Sequence, residues 1–367
     1  MTQLKTPAFV IDIQRLRRNI ASMSRRAAEL GIALRPHVKT HKTLEIAELQ
    51  NGDRRGGITV STLAEAWFYQ RAGFRDITYA FPITADKLTE SVELTCSLDR
   101  FYLIVDQEAA IAALEERGGT AGLRFQVLIE VDVGHHRSGV DPRADASLEF
   151  AGRIQDAAHI ELGGVLTHGG QAYHCSNAVE IAEAAATERE VLVRFAAKLR
   201  DRGIPCPVVS AGSTPTAVHG RSGEGLTEIR PGNYVFYDKF QADIGTCRLD
   251  DCAATILTTV VGHYRDHNQI LVDAGALALS KDRGAEHVVP ELTFGSVIGC
   301  PHIRVASLSQ EHGLLTSSMK LPFERLPVGS RIRIVPNHSC LAAALFPRYH
   351  VINRDEVVDE WRPVRGW

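Results

Sequence analysis

Five basic or imidazole side chains fall within eight residues, Arg35-Pro36-His37-Val38-Lys39-Thr40-His41-Lys42, directly behind the apolar run Ile32-Ala33-Leu34. Amines in such company invite Schiff-base chemistry. Neighbouring cations and partial loss of hydration disfavour an ammonium, and a lysine so placed is nucleophilic enough to condense with an aldehyde at neutral pH. In an extended segment successive side chains alternate faces, so Arg35, His37 and Lys39 share one face while Leu34 and Val38 take the other. That parity selects Lys39 and leaves Lys42 as a rival of opposite parity. The competing account of the cluster is a solvated basic turn at a strand end.

The elements that must carry this lysine are legible as an alternation. From Ile32 to about Tyr237, strand-like runs near 32–38, 57–61, 77–81, 101–105, 124–132, 161–167, 206–211 and 226–236 are separated by helix-period stretches such as 43–51, 62–73 and 180–201. Eight such units in series predict an α/β fold, a (β/α)8 TIM barrel rather than an open doubly wound sheet. After Phe240 the pattern changes to short β-rich runs: Ala254–Tyr264, Gln269–Val272, Gly295–Val305, Gly313–Ser317, Arg331–Val335 and Leu341–Tyr349. A C-terminal, mostly antiparallel β domain is therefore expected. Thr6–Ile11 is a further short strand, expected to join it because it precedes the first barrel helix, Ile13–Glu29. The expected division is 12–240 for the barrel and 241–367 plus 1–11 for the β domain.

Bulk properties narrow the partners. The chain has 367 residues, longer than a single core usually supports, and a net charge of -3 from 41 basic and 44 acidic side chains. That balance supplies no basic field for nucleic acid, and a small-molecule partner fits better. Seven cysteines without a CxxC pair argue against a disulfide framework and for a reducing compartment. The start, Met1-Thr2-Gln3-Leu4-Lys5, does not read as a secretion signal, and no run approaches the roughly 18 apolar residues of a membrane span. A soluble, cytoplasmic protein is the expectation.

Reactive residues of a TIM barrel sit at the C-terminal ends of its strands. There the chain places His37 and Lys39 after the first run, Glu130 to Arg137 after the fifth, and Thr167-His168-Gly169-Gly170 with Tyr173 and His174 after the sixth. Gly212-Ser213-Thr214 follows the seventh, and Arg230-Pro231-Gly232-Asn233-Tyr234 accompanies the eighth. Barrels commonly hold a phosphate in this last region through backbone amides and hydroxyls, although a Gly-Ser-Thr turn can equally be an ordinary helix cap. Opposite a Schiff-base lysine, the two turns suggest a phosphorylated aldehyde cofactor. Arg230 could face its pyridine nitrogen, and Arg137 its phenolic oxygen or the substrate carboxylate; the alternative for each arginine is a structural ion pair.

A second candidate lies outside the barrel, in Pro336-Asn337-His338-Ser339-Cys340. Two residues apart in an extended segment, His338 and Cys340 would face one way, and imidazole with thiolate suits zinc. The alternative is a small buried cysteine. Two protein ligands would leave coordination positions open, as in catalytic sites. His135 and His136 have opposite parity, so only one can face the site. His312 reads as a turn residue or a supporting group, and His219, His263, His267 and His350 show no partner pattern.

These motifs together resemble the fold-type III enzymes that use pyridoxal 5'-phosphate (PLP), the D-serine dehydratase and D-threonine aldolase group related to alanine racemase. The motifs are Arg35 to Lys42, Val131-Asp132-Val133-Gly134 leading to Arg137, Thr167-His168, Gly212-Ser213-Thr214-Pro215-Thr216, Arg230 to Tyr234 and Pro336 to Cys340, and they extend over nearly the whole chain. The resemblance implies that Lys39 is the Schiff-base lysine, flanked by His37, and that His168 stacks on the cofactor ring. It implies that Gly212, Ser213, Thr214, Gly232 and Asn233, with Tyr234 beside them, hold the phosphate. His338 and Cys340 look like the zinc pair of the D-serine dehydratase branch; the aldolase branch typically has an aspartate where Cys340 stands. Racemases of this fold use a tyrosine in a segment similar to Val272-Asp273-Ala274-Gly275-Ala276, which has none.

The implied activity is PLP- and zinc-dependent β-elimination from a D-β-hydroxy amino acid such as D-serine, giving a 2-keto acid and ammonia. Lys39 would take the α-proton, and Tyr173 could orient the substrate. Alternatives within the class are a D-threonine or D-3-hydroxyaspartate aldolase and a D-threo-3-hydroxyaspartate dehydratase, for which Arg137, His135, His136 and Lys281 could receive a second carboxylate. A non-catalytic PLP carrier is the reading from another class, and the β domain with His338 and Cys340 argues against it. A homodimer is expected from the family.

Overall fold

The computed structural model describes residues 3–52, 56–291 and 293–367. Met1 and Thr2, part of the expected N-terminal segment of the β domain, lie outside the described residues. The chain divides into two compact units, Ser22–Gly232 with Val364–Trp367 and Met1–Ala21 with Asn233–Pro363.

The chain opens with β1 (Ala8–Asp12) and α1 (Ile13–Glu29). The first unit then alternates strand and helix: β2 (Ala33–Leu34), α2 (Leu44–Asn51), β3 (Ile58–Val60), α3 (Leu63–Arg71), β4 (Asp76–Pro82), α4 (Leu88–Ser97) and β5 (Arg100–Val105). It continues with α5 (Glu108–Ala121), β6 (Phe125–Glu130), α6 (Asp145–Asp156), β7 (Ile160–Leu166), α7 (Ala178–Asp201), β8 (Val208–Ala211), α8 (Thr214–His219) and β9 (Glu228–Ile229). The eight parallel strands run in the order β2-β9-β8-β7-β6-β5-β4-β3, and a parallel bridge between His37 and Thr59 joins the two ends. The expected TIM-like barrel is thus present. Its strands are apolar on both faces because helices cover the outside and side chains fill the inside; Val127, Ile129, Val165 and Val209 are fully buried.

The other unit contains α9 (Lys239–Asp243), β10 (Ala254–Tyr264), β11 (Gln269–Val272), α10 (Ala276–Leu279), β12 (Gly295–Val297), β13 (Arg304–Leu308) and β14 (Gly313–Thr316). β15 (Arg331–Pro336), α11 (Ser339–Ala344), β16 (Tyr349–Asn353) and β17 (Glu356–Trp361) complete it. Nine strands pair in the order β11-β14-β13-β12-β15-β10-β1-β16-β17, and β11 also pairs with β10. The second pairing closes six strands on themselves and leaves no free edge among them. β10 manages three partners because a bulge between Val260 and Gly262 redirects its second half toward β11. β1 lies between β10 and β16, so the N-terminal strand does join the β domain.

Three segments depart from their expected shape. The run 32–38 is extended only through His37, because Val38–Thr40 winds into a 3-10 turn whose Val38 carbonyl accepts from Lys42 at 2.8 Å. The run 226–236 keeps two strand residues and turns into a 3-10 segment, Asn233–Val235. The run 341–349 begins inside α11: Leu341 and three alanines favour a helix, and the Asp238 carboxylate accepts the Ser339 N–H at its start. Strand parity therefore orders neither Lys39 against Lys42 nor His338 against Cys340.

Candidate active site

The octapeptide sorts its cations by partner. Arg35 is buried, donating to Glu228 at 2.7 Å and to Asp76 at 2.7 and 3.1 Å. Burial opposes its charge, but the Glu228 and Asp76 carboxylates outweigh that cost and hold it firmly protonated. His41 is fully buried, with Gln50 at 3.0 Å and Thr43 at 3.3 Å from its ring nitrogens, and burial pushes its pKa down to about 3. Lys42 adopts a left-handed backbone (φ 55°), and its Nζ meets the buried Glu65 carboxylate at 2.8 Å. Lys39 alone of the five is solvent-exposed. Its charge acts on both His37 and His168, whose pKa values burial and that charge depress well below the usual imidazole range.

Both imidazoles are consequently neutral beside an accessible amine. His37 is buried, and its Nδ1 has no hydrogen-bond partner among the described residues. The His168 ring lies 5.9 Å from the His135 ring and 6.2 Å from the Tyr173 ring. Gly170 makes room for His135, since a Cβ there would fall 2.3 Å from the imidazole. His136 turns outward instead and pairs through Nδ1 with Asp132 at 2.7 Å. A small cavity between them is lined by Glu130, His135, Arg137, Ser138 and His168. Half-exposed Arg137 lies 3.8 Å from Glu130, whose pKa burial raises.

Arg230 is buried and donates to Ser210 Oγ and the Thr167 carbonyl, which ties the ends of β7 and β8 together. Ser213 caps α8 in a reciprocal capping box with Thr216, so its hydroxyl is engaged in the turn itself. Gly212 has φ 102°, which suits glycine, and its N–H donates to Glu188 at 3.0 Å. Gly232 passes so close to the His37 carbonyl that a Cβ would lie 2.8 Å from it. Thr214 is buried alongside Ser213.

In the other unit, Asn233 Nδ2 donates to Asp238 at 2.8 Å, to Ser339 Oγ at 3.0 Å and to Cys340 Sγ at 3.7 Å, while Tyr234 is fully buried. His338 precedes α11 as its cap residue, with Asp282 3.3 Å from its Nδ1. Burial would lower the His338 pKa, but the hydrogen bonds to Asp282 and Cys340 raise it to about 11. Imidazole and thiol thus remain adjacent although the segment is not extended.

An alanine racemase N-terminal domain model matches residues 11–239, and a serine dehydratase domain model matches residues 253–352. D-threo-3-hydroxyaspartate dehydratase of Delftia sp. (strain HT23) is 40% identical, over 99% of this chain and 98% of its own. D-serine dehydratase of Dictyostelium discoideum is 36% identical over 100% and 98%. The chain belongs to the fold-type III PLP-dependent dehydratase and aldolase family. A solved structure of a D-threo-3-hydroxyaspartate dehydratase cysteine-to-alanine variant in its metal-free form superimposes with a TM-score of 0.95, at 39% identity, covering 100% of this chain and 99% of that one. The protein is thus a PLP-dependent lyase of this fold.

The barrel residues suit that cofactor. An aldehyde needs an accessible amine, an aromatic ring needs an uncharged flat neighbour, and a phosphate needs donors and cations: Lys39, neutral His168, and the Gly212–Thr214 turn near Arg230 answer these in turn. His338 and Cys340 offer a metal two donors of zinc-like softness. Among the described residues no group of three His, Cys, Asp or Glu side chains forms a metal site, so a metal on this pair would keep open positions. Among the described residues no helix is long and apolar enough to cross a membrane.

Sequence reasoning missed the carboxylates. Glu65, Glu188, Asp282 and Asp238 each hold a candidate residue or its loop. Only Glu188 carries a signal in the sequence, because it interrupts the apolar stripe Ile181, Ala185, Leu192, Phe195 and Leu199 of α7 at a core position.

Proposed function

We propose that the chain catalyses β-elimination of a D-β-hydroxy amino acid such as D-serine, with PLP on Lys39 and zinc on His338 and Cys340, giving a 2-keto acid and ammonia. The reading assigns cofactor chemistry to residues 12–240 and metal binding to residues 241–367 with 1–11. The observation that carries it is the exposed Lys39 amine acting on two imidazoles, His37 and His168, that burial keeps neutral. Lys39 Nζ would take the substrate α-proton as general base. His168 would cover the ring without adding charge, Arg230 would support it from the strand ends, and the Gly212–Thr214 turn, with Gly232, Asn233 and Tyr234, would hold the phosphate. Tyr173 and Arg137 orient the substrate. Bound PLP supplies an electron sink for the charge left at the α-carbon. Zinc supplies Lewis-acid stabilisation of the departing hydroxide, an otherwise poor leaving group. Cys340, where the aldolase branch has aspartate, favours elimination over retro-aldol cleavage.

A second reading, D-threo-3-hydroxyaspartate as substrate, is favoured by half-exposed Arg137 together with His135 beside the His168 ring, where a second carboxylate would find a cation. Incubating the purified protein with D-serine, D-threonine and D-threo-3-hydroxyaspartate tests both. Keto acid plus ammonia supports elimination, and the preferred substrate chooses between the readings; glycine plus aldehyde overturns both in favour of an aldolase. Chelation that removes stoichiometric metal should slow elimination about a hundredfold, and undiminished turnover after metal removal would take zinc out of the mechanism.

A further inference from the structure

The carboxylate of Glu188 is buried in the barrel with three hydrogen-bond partners, and no catalytic step uses it. It belongs to α7, yet it is buried at 2% exposure on the face turned toward β7 and β8. Its Oε1 accepts the Gly212 N–H at 3.0 Å, and the Gly169 amide and Thr216 hydroxyl also bond to it. A Cβ on Gly169 would fall 2.6 Å from the Glu188 carboxyl carbon, so a glycine there is what lets the carboxylate reach the backbone. One side chain therefore clamps two loops: the one after β7, where Gly169 follows His168, and the one after β8, where Gly212 precedes Ser213 and Thr214. Ser213 Oγ, 3.5 Å from the Gly169 carbonyl, adds a second tie between the same loops.

An apolar residue would suit this point of the α7 stripe better, since burying a carboxyl is unfavourable unless its oxygens are satisfied. Burial indeed raises the Glu188 pKa, with the two amides, the hydroxyl and the Arg230 charge pulling the other way. The cavity beside it, lined by Arg189, Gly212, Thr216, Gly220 and Ser222 among others, has a volume of about 20 Å³. That is room for a water and not for a ligand. The carboxylate is there for the loops.

We propose that Glu188 is a positioning residue that presets the Gly212–Thr214 turn for the phosphate of the cofactor. The inference rests on the reading that PLP places its phosphate at this turn. Without two carboxylate oxygens, the Gly169 and Gly212 amides lose a shared acceptor, and the turn no longer holds one register relative to His168. Glutamine keeps one acceptor but brings an NH2 group against an N–H, which makes Glu188→Gln a sharp probe of nearly unchanged volume.

The test compares PLP with pyridoxal, which lacks the phosphate, for full-length protein stripped of cofactor and titrated by its visible absorbance. Glu188→Gln should weaken PLP about tenfold or more, the loss of a charge-assisted hydrogen bond, and change pyridoxal affinity by less than about twofold. With PLP saturating, substrate kcat should approach that of the parent while the PLP concentration for half-activity rises. Thermal melting of the stripped proteins monitors folding, and Glu188→Asp serves as the milder variant should Glu188→Gln melt early. Equal weakening of PLP and pyridoxal, or none, overturns the inference. Thr214→Val separates its failure from that of the underlying reading: if Thr214→Val shifts the PLP-to-pyridoxal ratio and Glu188→Gln does not, Glu188 alone is misassigned. If neither shifts it, the phosphate is not at this turn.

Discussion

The barrel cluster and the His338 segment treat the same side chain in opposite ways. Around Lys39, burial first and then the charges of Lys39 and Arg230, joined at His168 by Arg137, depress His37 and His168, so the site is neutral to positive and suited to an anionic cofactor. Around His338, the facing groups are the Asp282 and Asp238 carboxylates and the hydrogen-bonded Cys340 sulfur, an environment that suits a cation. Histidine as a residue type carries little functional information; the charge of the groups facing it carries more.

The comparison breaks first at Lys39. Lys39→Ala should lower turnover by about a thousandfold, the scale of removing a general base, before the lost covalent attachment is counted. Borohydride reduction and peptide mapping should then find no pyridoxyl label in the octapeptide; a label on Lys42 of the parent protein would sink the assignment. Next in size, His338→Ala and Cys340→Ala should each remove stoichiometric metal by elemental analysis and slow elimination about a hundredfold, with PLP absorbance retained. Loss of PLP together with the metal would mean that the two charge environments are not separable.

Lys42→Met sharpens the barrel side. It strands the buried Glu65 carboxylate, which still accepts from Ser61 N–H and Thr62 Oγ1, and should cost about 2 kcal/mol in denaturant unfolding, less than a fully buried broken pair. The pyridoxyl label should stay on Lys39. A smaller effect is the acid response. His41 takes its proton near pH 6.5 when unfolded but only at about 3 when folded, so the unfolded state binds more protons between those values. Stability is fully present above about pH 6.5 and falls as pH drops below it, by about 1.4 kcal/mol per unit for one such histidine. Unfolding curves at pH 7 and pH 5 measure the slope, and His41→Gln should flatten it; an unchanged slope would show that His41 does not set it.

Much of this was readable along the chain. Apolar runs of strand length separated by helix-period stretches predict the barrel because every strand there is buried on both faces and every helix on one. β10 and β11 coincide with the expected Ala254–Tyr264 and Gln269–Val272 runs, since alternation and flanking turns bound them locally. Alternation fails where neighbouring segments bend the chain. Val38–Thr40 coils as it leaves the barrel strand, and the residues after Asn337 coil because Asp238 caps a short alanine-rich helix. The parity arguments for Lys39 and for His338 with Cys340 therefore rested on a conformation the protein does not adopt.

By itself the sequence determined the residue types, their order and the periodicities, and these carry the fold, the Schiff-base candidate pair and the imidazole–thiol pair. Tertiary structure decided which lysine is accessible, which histidines are neutral and which carboxylates stand behind them. The reason is range. Periodicity reports on neighbours one helical turn or one strand step away, whereas Glu65 beside Lys42, Asp282 beside His338 and Glu188 beside Gly212 are brought in from distant parts of the chain. Burial then multiplies the strength of each such pairing, and burial exists only once the chain has folded.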